Sequence, residues 1–179
     1  MLAALEEFTV TTNQIQFAQL IRLLLLTGCR VGEIQRAQWD WINFDARTLM
    51  IPAAQHKTGA DGNDRVVHLP PIAVEILRQL RQRTNGRWVI AGRGDAPLAA
   101  YSELWAKLLK RASIQNLRVH DLRHNWASTA ISAGLTLAQI GEQLGHRNMQ
   151  TTQRYAHLID EAAAANAAKV AALLSPLKP

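Results

Sequence analysis

The sequence predicts a mostly helical α+β domain with one small antiparallel sheet. Three observations predict it. Apolar residues recur at helical spacing in several separate segments, β-branched and aromatic runs crowd into one stretch after residue 40, and glycines or capping residues stand at the ends of the helical segments. A chain of 179 residues that is 48% hydrophobic can bury a sizeable core, and a single domain is expected.

Phe17, Leu20, Ile21, Leu24 and Leu25 follow the i, i+3, i+4, i+7, i+8 rhythm of an amphipathic helix, which Gly28 stops. That helix delivers Arg30 to a turn. The next helix is expected from Val31, with Glu33 in its first turn, where an acid suits the macrodipole. WINF, TLMI and RVVHL then read as a small antiparallel sheet; the turn-rich GADGND separates the last two, and Lys57 falls in or beside that hairpin loop.

After Pro70 and Pro71, the residues Ala73, Ile76, Leu77 and Leu80 mark another helix. Ser102 is the expected N-cap of a helix bearing Leu104, Trp105, Leu108 and Leu109. Thr136 and Gln139 make a capping-box pattern ahead of Leu137, Ile140 and Leu144, Gly145 closes that helix, and His146 is left in the turn. Asn148 is placed to cap a short helix carrying Tyr155, and Asp160 to start an alanine-rich final helix that ends before Pro176. Trp39, Trp41, Trp105 and Trp126 read as packing residues.

Twenty Lys and Arg against 14 Asp and Glu leave a net charge of +6, which favours a polyanionic partner, nucleic acid foremost. Cys29 is the single cysteine, so an intramolecular disulfide and a cysteine-built zinc site are excluded. The start MLAALEEF carries acids where a signal peptide needs a positive charge, and LIRLLLL is interrupted by Arg22 and too short to cross a bilayer, so no membrane role and a cytoplasmic location are expected.

Within HDLRH, residues 120–124, His120, Arg123 and His124 share a face if the stretch is helical. Taken alone it admits a zinc site, since it differs from H-E-x-x-H by one methylene at the acid, an anion grip by Arg123 and His120, or a solvated helix start. The zinc reading sets a cation beside a dication, offers no obvious third ligand and leaves Arg30, Lys57 and Tyr155 without purpose. A β-lactamase reading of KTG fails because the one S-x-x-K, Ser175 to Lys178, comes last in the chain.

TGCRVGEI, QHKTG, HDLRH and LGHRNMQTTQRYAHL, in that order, resemble the catalytic domain of the tyrosine recombinases, the phage integrase family. The likeness runs from about residue 12 to 158. It implies the fold of that catalytic domain, DNA strand cleavage and transfer through a 3′-phosphotyrosyl intermediate, and the catalytic set Arg30, Lys57, His120, Arg123, His146 and Tyr155, supported by Glu33. Chemistry agrees with those residue types. Two guanidinium groups, Arg30 and Arg123, clamp the non-bridging oxygens of a phosphodiester, and His146 adds a hydrogen bond. His120 takes up or returns the proton of the nucleophile, Tyr155; Tyr101, the one other tyrosine, lies outside every motif. Lys57 protonates the departing 5′ oxygen, a role open to lysine and closed to arginine, though His56 competes for it. Glu33 orients Arg30. No metal or other cofactor is expected, because the bond energy is kept in the phosphotyrosine.

The resemblance further implies double-stranded DNA as partner, a homo-tetramer on DNA with a monomer in isolation, and residence in a bacterial host cell, on the nucleoid when bound. Residues 1–179 are expected to form one catalytic domain, without the helical core-binding domain that precedes it in most members. The tail, residues 160–179, is expected to hold a helix that either docks on a neighbouring subunit or packs in cis on its own domain. A helix-turn-helix regulator, suggested by LAQIGEQLGHRNMQTTQRY, and a type IB topoisomerase-like enzyme are the rival readings.

Overall fold

The computed structural model describes residues 1–8, 11–56, 62–146, 152–153, 155–156 and 171–172. The expected helices around Asn148 and from Asp160 lie outside the described residues, apart from Thr152, Gln153, Tyr155, Ala156 and two tail positions. Among the described residues there are seven helices and one three-stranded sheet.

Thr11 opens the longest helix, α2 (Thr12–Thr27). Its hydroxyl accepts the Gln14 amide and the Gln14 side chain accepts the Thr11 amide, at 3.2 and 3.0 Å, so two donors left over in the first turn are satisfied reciprocally. Phe17, Leu20, Ile21, Leu23 and Leu24 are all fully or almost fully buried, an arc wide enough to place α2 in the middle of the core. Each such side chain contributes about 1.5–3 kcal/mol of transfer free energy. α1 (Leu2–Leu5), which has no strong pattern in the sequence, lies near α5 (Ser102–Arg111), and α4 (Pro71–Arg83) and α6 (Asp121–Ser132) flank α2.

The sheet is antiparallel in the order β1 (Ile42–Asn43), β2 (Thr48–Ile51), β3 (Arg65–His68). It is shorter at its start than WINF suggested. Trp39–Trp41 form a single 3-10 turn, so the strand begins at Ile42. Alternation along β2 and β3 sends Leu49, Ile51 and Val67 inward and leaves Met50 and Val66 outside. Arg65, which pairs with Ile51, follows the same alternation and points inward with Val67.

α3 (Val31–Gln35) starts as expected, and Ser102 does not cap α5: it is already the first helical residue, and Tyr101 occupies the cap position with its carbonyl accepting from Trp105 at 2.8 Å. α7 (Leu137–Leu144) carries the Thr136–Gln139 capping box in full. A second, smaller core of Ala127, Ala130, Ile131, Ile140, Leu144 and Tyr155 joins α6 to α7 and to the segment beyond. None of the described helices is long and apolar enough to cross a membrane.

Gly28 and Gly145 end α2 and α7 in left-handed backbone, each with φ 67°. A Cβ on Gly28 would lie 2.7 Å from Leu144 Cδ2 and 2.9 Å from Trp126, so the α2 turn meets α6 and α7 at a point where only hydrogen fits. Gly28→Ala is expected to cost more than about 2 kcal/mol, from the left-handed backbone and the forced repacking together. Urea unfolding measures it; a loss under about 0.5 kcal/mol would show that the approach of these helices is loose.

Candidate active site

Four ends of elements converge: the turn after α2, the first turn of α3, the start of β3 and the end of α7. The centre of the convergence is a carboxylate. Glu33 is 2% exposed, and one of its oxygens accepts the Arg30 guanidinium at 2.9 Å. The other accepts the Arg30 backbone amide at 2.7 Å and the Arg65 guanidinium at 2.5 Å. Burial pushes this carboxyl up, but the Arg65 charge and hydrogen bond, with the Arg30 amide and charge, more than reverse that and hold it below its ordinary 4.5. Glu33 is therefore ionised at neutral pH in a site nearly closed to water.

Arg65 also donates to the Gln143 carbonyl at 2.8 Å, which ties β3 to the last turn of α7. The Gln143 side chain makes a parallel tie, donating to the carbonyls of His68 at 3.1 Å and Thr27 at 3.3 Å. Gly145 matters here a second time, because a Cβ on it would collide with Arg65 Nε and Cδ.

Arg123, on the first turn of α6, is 4% exposed and donates to the carbonyls of Gly28 at 2.8 Å and Leu144 at 2.7 Å. These two acceptors are the ends of α2 and α7, where carbonyls lack helical partners. Burial, and then the charges of Arg30 and Arg65, push the Arg123 guanidinium down to about 10, with Glu33 opposing. It remains a cation at neutral pH. Among the described residues three guanidinium groups thus surround one carboxylate, an excess of two positive charges.

His120 is the N-cap residue of α6 and meets His124 edge to face, with ring centroids 5.1 Å apart. Burial first, then His124, Arg123 and Arg30, hold its pKa below the ordinary 6.5. Asp121, the acid of HDLRH, turns the other way: its carboxylate accepts from the Arg118 side chain at 2.8 Å and from the Arg118 amide at 2.9 Å, which lowers its pKa to about 2. His146 follows the Gly145 cap, and its Nδ1 lies 2.9 Å from the buried Thr152 hydroxyl. Tyr155 is 6% exposed within the second core, and its phenol oxygen lies 2.6 Å from His124 Nδ1.

The fold therefore brings Arg30, Glu33, Arg123 and His120 into one electrostatic cluster, ties Tyr155 to that cluster through His124, and anchors His146 beside the same helix end. Lys57 lies outside the described residues; its neighbour His56 lies 3.2 Å from the Asn63 carbonyl. Sequence reasoning missed Arg65, Gln143, Thr152 and the part played by His124. Strict alternation in RVVH, which places Arg65 on the face of Val67, was the signal for the first. Contacts of the other three had no local signature.

A family model described as the phage integrase family matches residues 1–162. The chain belongs to the phage integrase family. The tyrosine recombinase XerA of Pyrococcus furiosus is 29% identical over 152 residues, covering 82% of this chain and 51% of that protein. Among solved structures, XerH site-specific recombinase bound to a palindromic difH substrate in a post-cleavage complex superposes with a TM-score of 0.74 at 18% identity, over 93% of this chain and 49% of that one. The catalytic domain of bacteriophage HP1 integrase gives 0.64 at 21% identity, over 98% of this chain and 93% of that one. The mostly helical fold with its three-stranded sheet is thus the tyrosine-recombinase catalytic-domain fold. The chain spans about half the length of the curated relatives it matches.

Two outcomes test the buried ion pair. Arg65→Met, which keeps the length and removes the charge, is expected to cost about 3–5 kcal/mol in chemical denaturation, as for other buried pairs broken on one side. Because the folded pKa of Glu33 lies below its unfolded value, its ionic stabilisation is complete above about 4.5 and is lost as pH falls through the lowered folded pKa. Wild type should therefore lose stability more steeply than Glu33→Gln as acid is added below that pH, and parallel curves of melting temperature against pH would contradict it.

Proposed function

We propose that this chain is the catalytic domain of a site-specific DNA recombinase, which cleaves and rejoins double-stranded DNA through a 3′-phosphotyrosyl intermediate. The observation that carries the reading is the excess cation at the convergence. Three guanidinium groups, two of them buried, against one carboxylate among the described residues, beside two histidines and a tyrosine in a family whose relatives are named tyrosine recombinases, suit an anionic phosphodiester. A solved structure of the same fold, the Tn1549 transposon integrase, is in complex with transposon right end DNA, which supports DNA as the partner.

In this reading Arg30 and Arg123 hold the non-bridging oxygens, and His146 bonds the same phosphate. The phenol oxygen of Tyr155 attacks phosphorus as the 5′ oxygen leaves. A phenol with a reference pKa of about 10 departs far more readily than an alkoxide, so the 5′-hydroxyl of another strand can reverse the attack and exchange strands. Lys57 supplies the proton to the leaving oxygen, and His120 is the histidine the motif order assigns to the proton of the nucleophile. Glu33 and Arg65 keep the Arg30 side of the clamp in place. The reading needs no metal or cofactor.

Residues 1–179 act as one catalytic domain, in a cytoplasm that gives access to DNA, with assembly as a homo-tetramer on paired sites and a monomer in isolation. The alanine-rich stretch near residues 162–174 docks on a neighbouring subunit, coupling cutting to assembly.

Covalent trapping tests the function. The wild-type chain is incubated with nicked duplexes and resolved on denaturing gels; a protein–DNA adduct is expected, absent from Tyr155→Phe and reduced at least about 100-fold in Arg30→Ala and Arg123→Ala. A helix-turn-helix regulator gives no adduct, and supercoil relaxation without exchange between two sites would indicate a topoisomerase instead.

A further inference from the structure

Among the described residues, His124 lies on the phenol of Tyr155, and the motif reading gives it no role. We propose that His124, in place of the His120 that the motif order assigns, accepts the phenolic proton of Tyr155 during cleavage, an inference that rests on the reading of Tyr155 as nucleophile.

Geometry comes first. The Nδ1 to oxygen separation of 2.6 Å is at the short end of hydrogen-bond range, and the rings are 5.9 Å apart between centroids. Tyr155 is packed among Ala127, Ala130, Ile131, Ile140 and Leu144, so its oxygen is set by the core rather than by a free rotamer. At 6% exposure the residue gives bulk water little room to act as base. An imidazole, with a reference pKa near 6.5, is the side chain best matched to proton transfer near neutral pH. For the phenol to donate, Nδ1 is unprotonated and Nε2 carries the ring proton.

The surroundings explain how the base is controlled. His124 meets His120 ring to ring, and Asp121 on the same turn senses its charge. His120 in turn is disfavoured as a cation by burial, His124, Arg123 and Arg30, with Asp121 opposing. Arg123 and Arg30 on one side and the Asp121 carboxylate on the other are the charged described groups that act on the histidine pair. A phosphodiester in the clamp supplies negative charge to the cluster and makes the imidazolium easier to form.

The step balances. The phenol oxygen bonds to phosphorus, the P–O5′ bond breaks, the phenolic proton moves to Nδ1, and the 5′ oxygen receives its proton from a separate acid, for which Lys57 is the candidate. On ligation the imidazolium returns its proton to the departing phenolate. One residue then serves both directions, with no net change in the protein.

The test follows single-turnover adduct formation on a nicked duplex that the wild-type chain has selected from a randomised pool. His124→Gln, which keeps a polar side chain but takes no proton, is expected to slow the adduct by about 10²–10⁴-fold with DNA retention in gel shifts unchanged. His124→Ala is expected to be equally slow and to recover in proportion to added unprotonated imidazole, a response that a packing role would not produce. Wild-type rates in His124→Gln, or a slow His124→Ala that ignores imidazole, overturn the proposal. Tyr155→Phe separates the two levels: an adduct that persists there sinks the nucleophile reading, whereas its loss there beside full activity in His124→Gln sinks the role of His124 alone. If neither histidine variant folds, nitrogen NMR of the wild-type chain at about pH 8 decides it. A bare Nδ1 on His124 is expected, and a proton on Nδ1 in the neutral ring overturns the proposal.

Discussion

The buried carboxylate of Glu33 is the interaction on which the rest of the site depends. Arg30, Arg65 and Arg123 are close enough to feel one another's charge, and like charges at such range inside a protein repel strongly. Glu33 offsets that repulsion from the middle, with one oxygen on Arg30 and the other shared between Arg65 and a backbone amide. Every element of the convergence is held through it or one step from it. Arg65 carries the link to α7 through the Gln143 carbonyl, and Arg123 closes the far side on the carbonyls of Gly28 and Leu144.

Among the described residues, a single carboxylate among three guanidinium groups is also an incomplete neutralisation, and the proposed chemistry depends on that incompleteness. A second acid would make a quieter ion-pair network and a poorer home for phosphate. The stability of the cluster and its affinity for an anion are set against each other, which is the usual position of a preorganised electrostatic site. Cys29 shares this environment without joining it: burial raises its pKa, so it stays a neutral thiol beside Glu33 and Arg65.

The second core adds the other half. α6 carries Arg123 toward the clamp on one side and buries Ala127, Ala130 and Ile131 against α7 and Tyr155 on the other. One helix therefore carries both cation and phenol contact, while His124, one residue after Arg123, touches the phenol and the His120 ring.

Helices, caps and the hairpin pairing were legible in the sequence because each is decided within a few residues. Apolar spacing set α2, a reciprocal cap set the start of α7, and a glycine ended each helix. The order of motifs likewise pointed to Arg30, Glu33, His120, Arg123, His146 and Tyr155. The short first strand and the cap of α5 escaped because Trp41 entered a 3-10 turn and Ser102 entered the helix itself. Tertiary structure alone decided what those side chains touch. Glu33 and Arg65 stand 32 residues apart and Arg123 and Gly28 stand 95 apart. Periodicity carries no information over such spans; burial does, because a charge taken out of water must find its partner wherever the packed chain brings one.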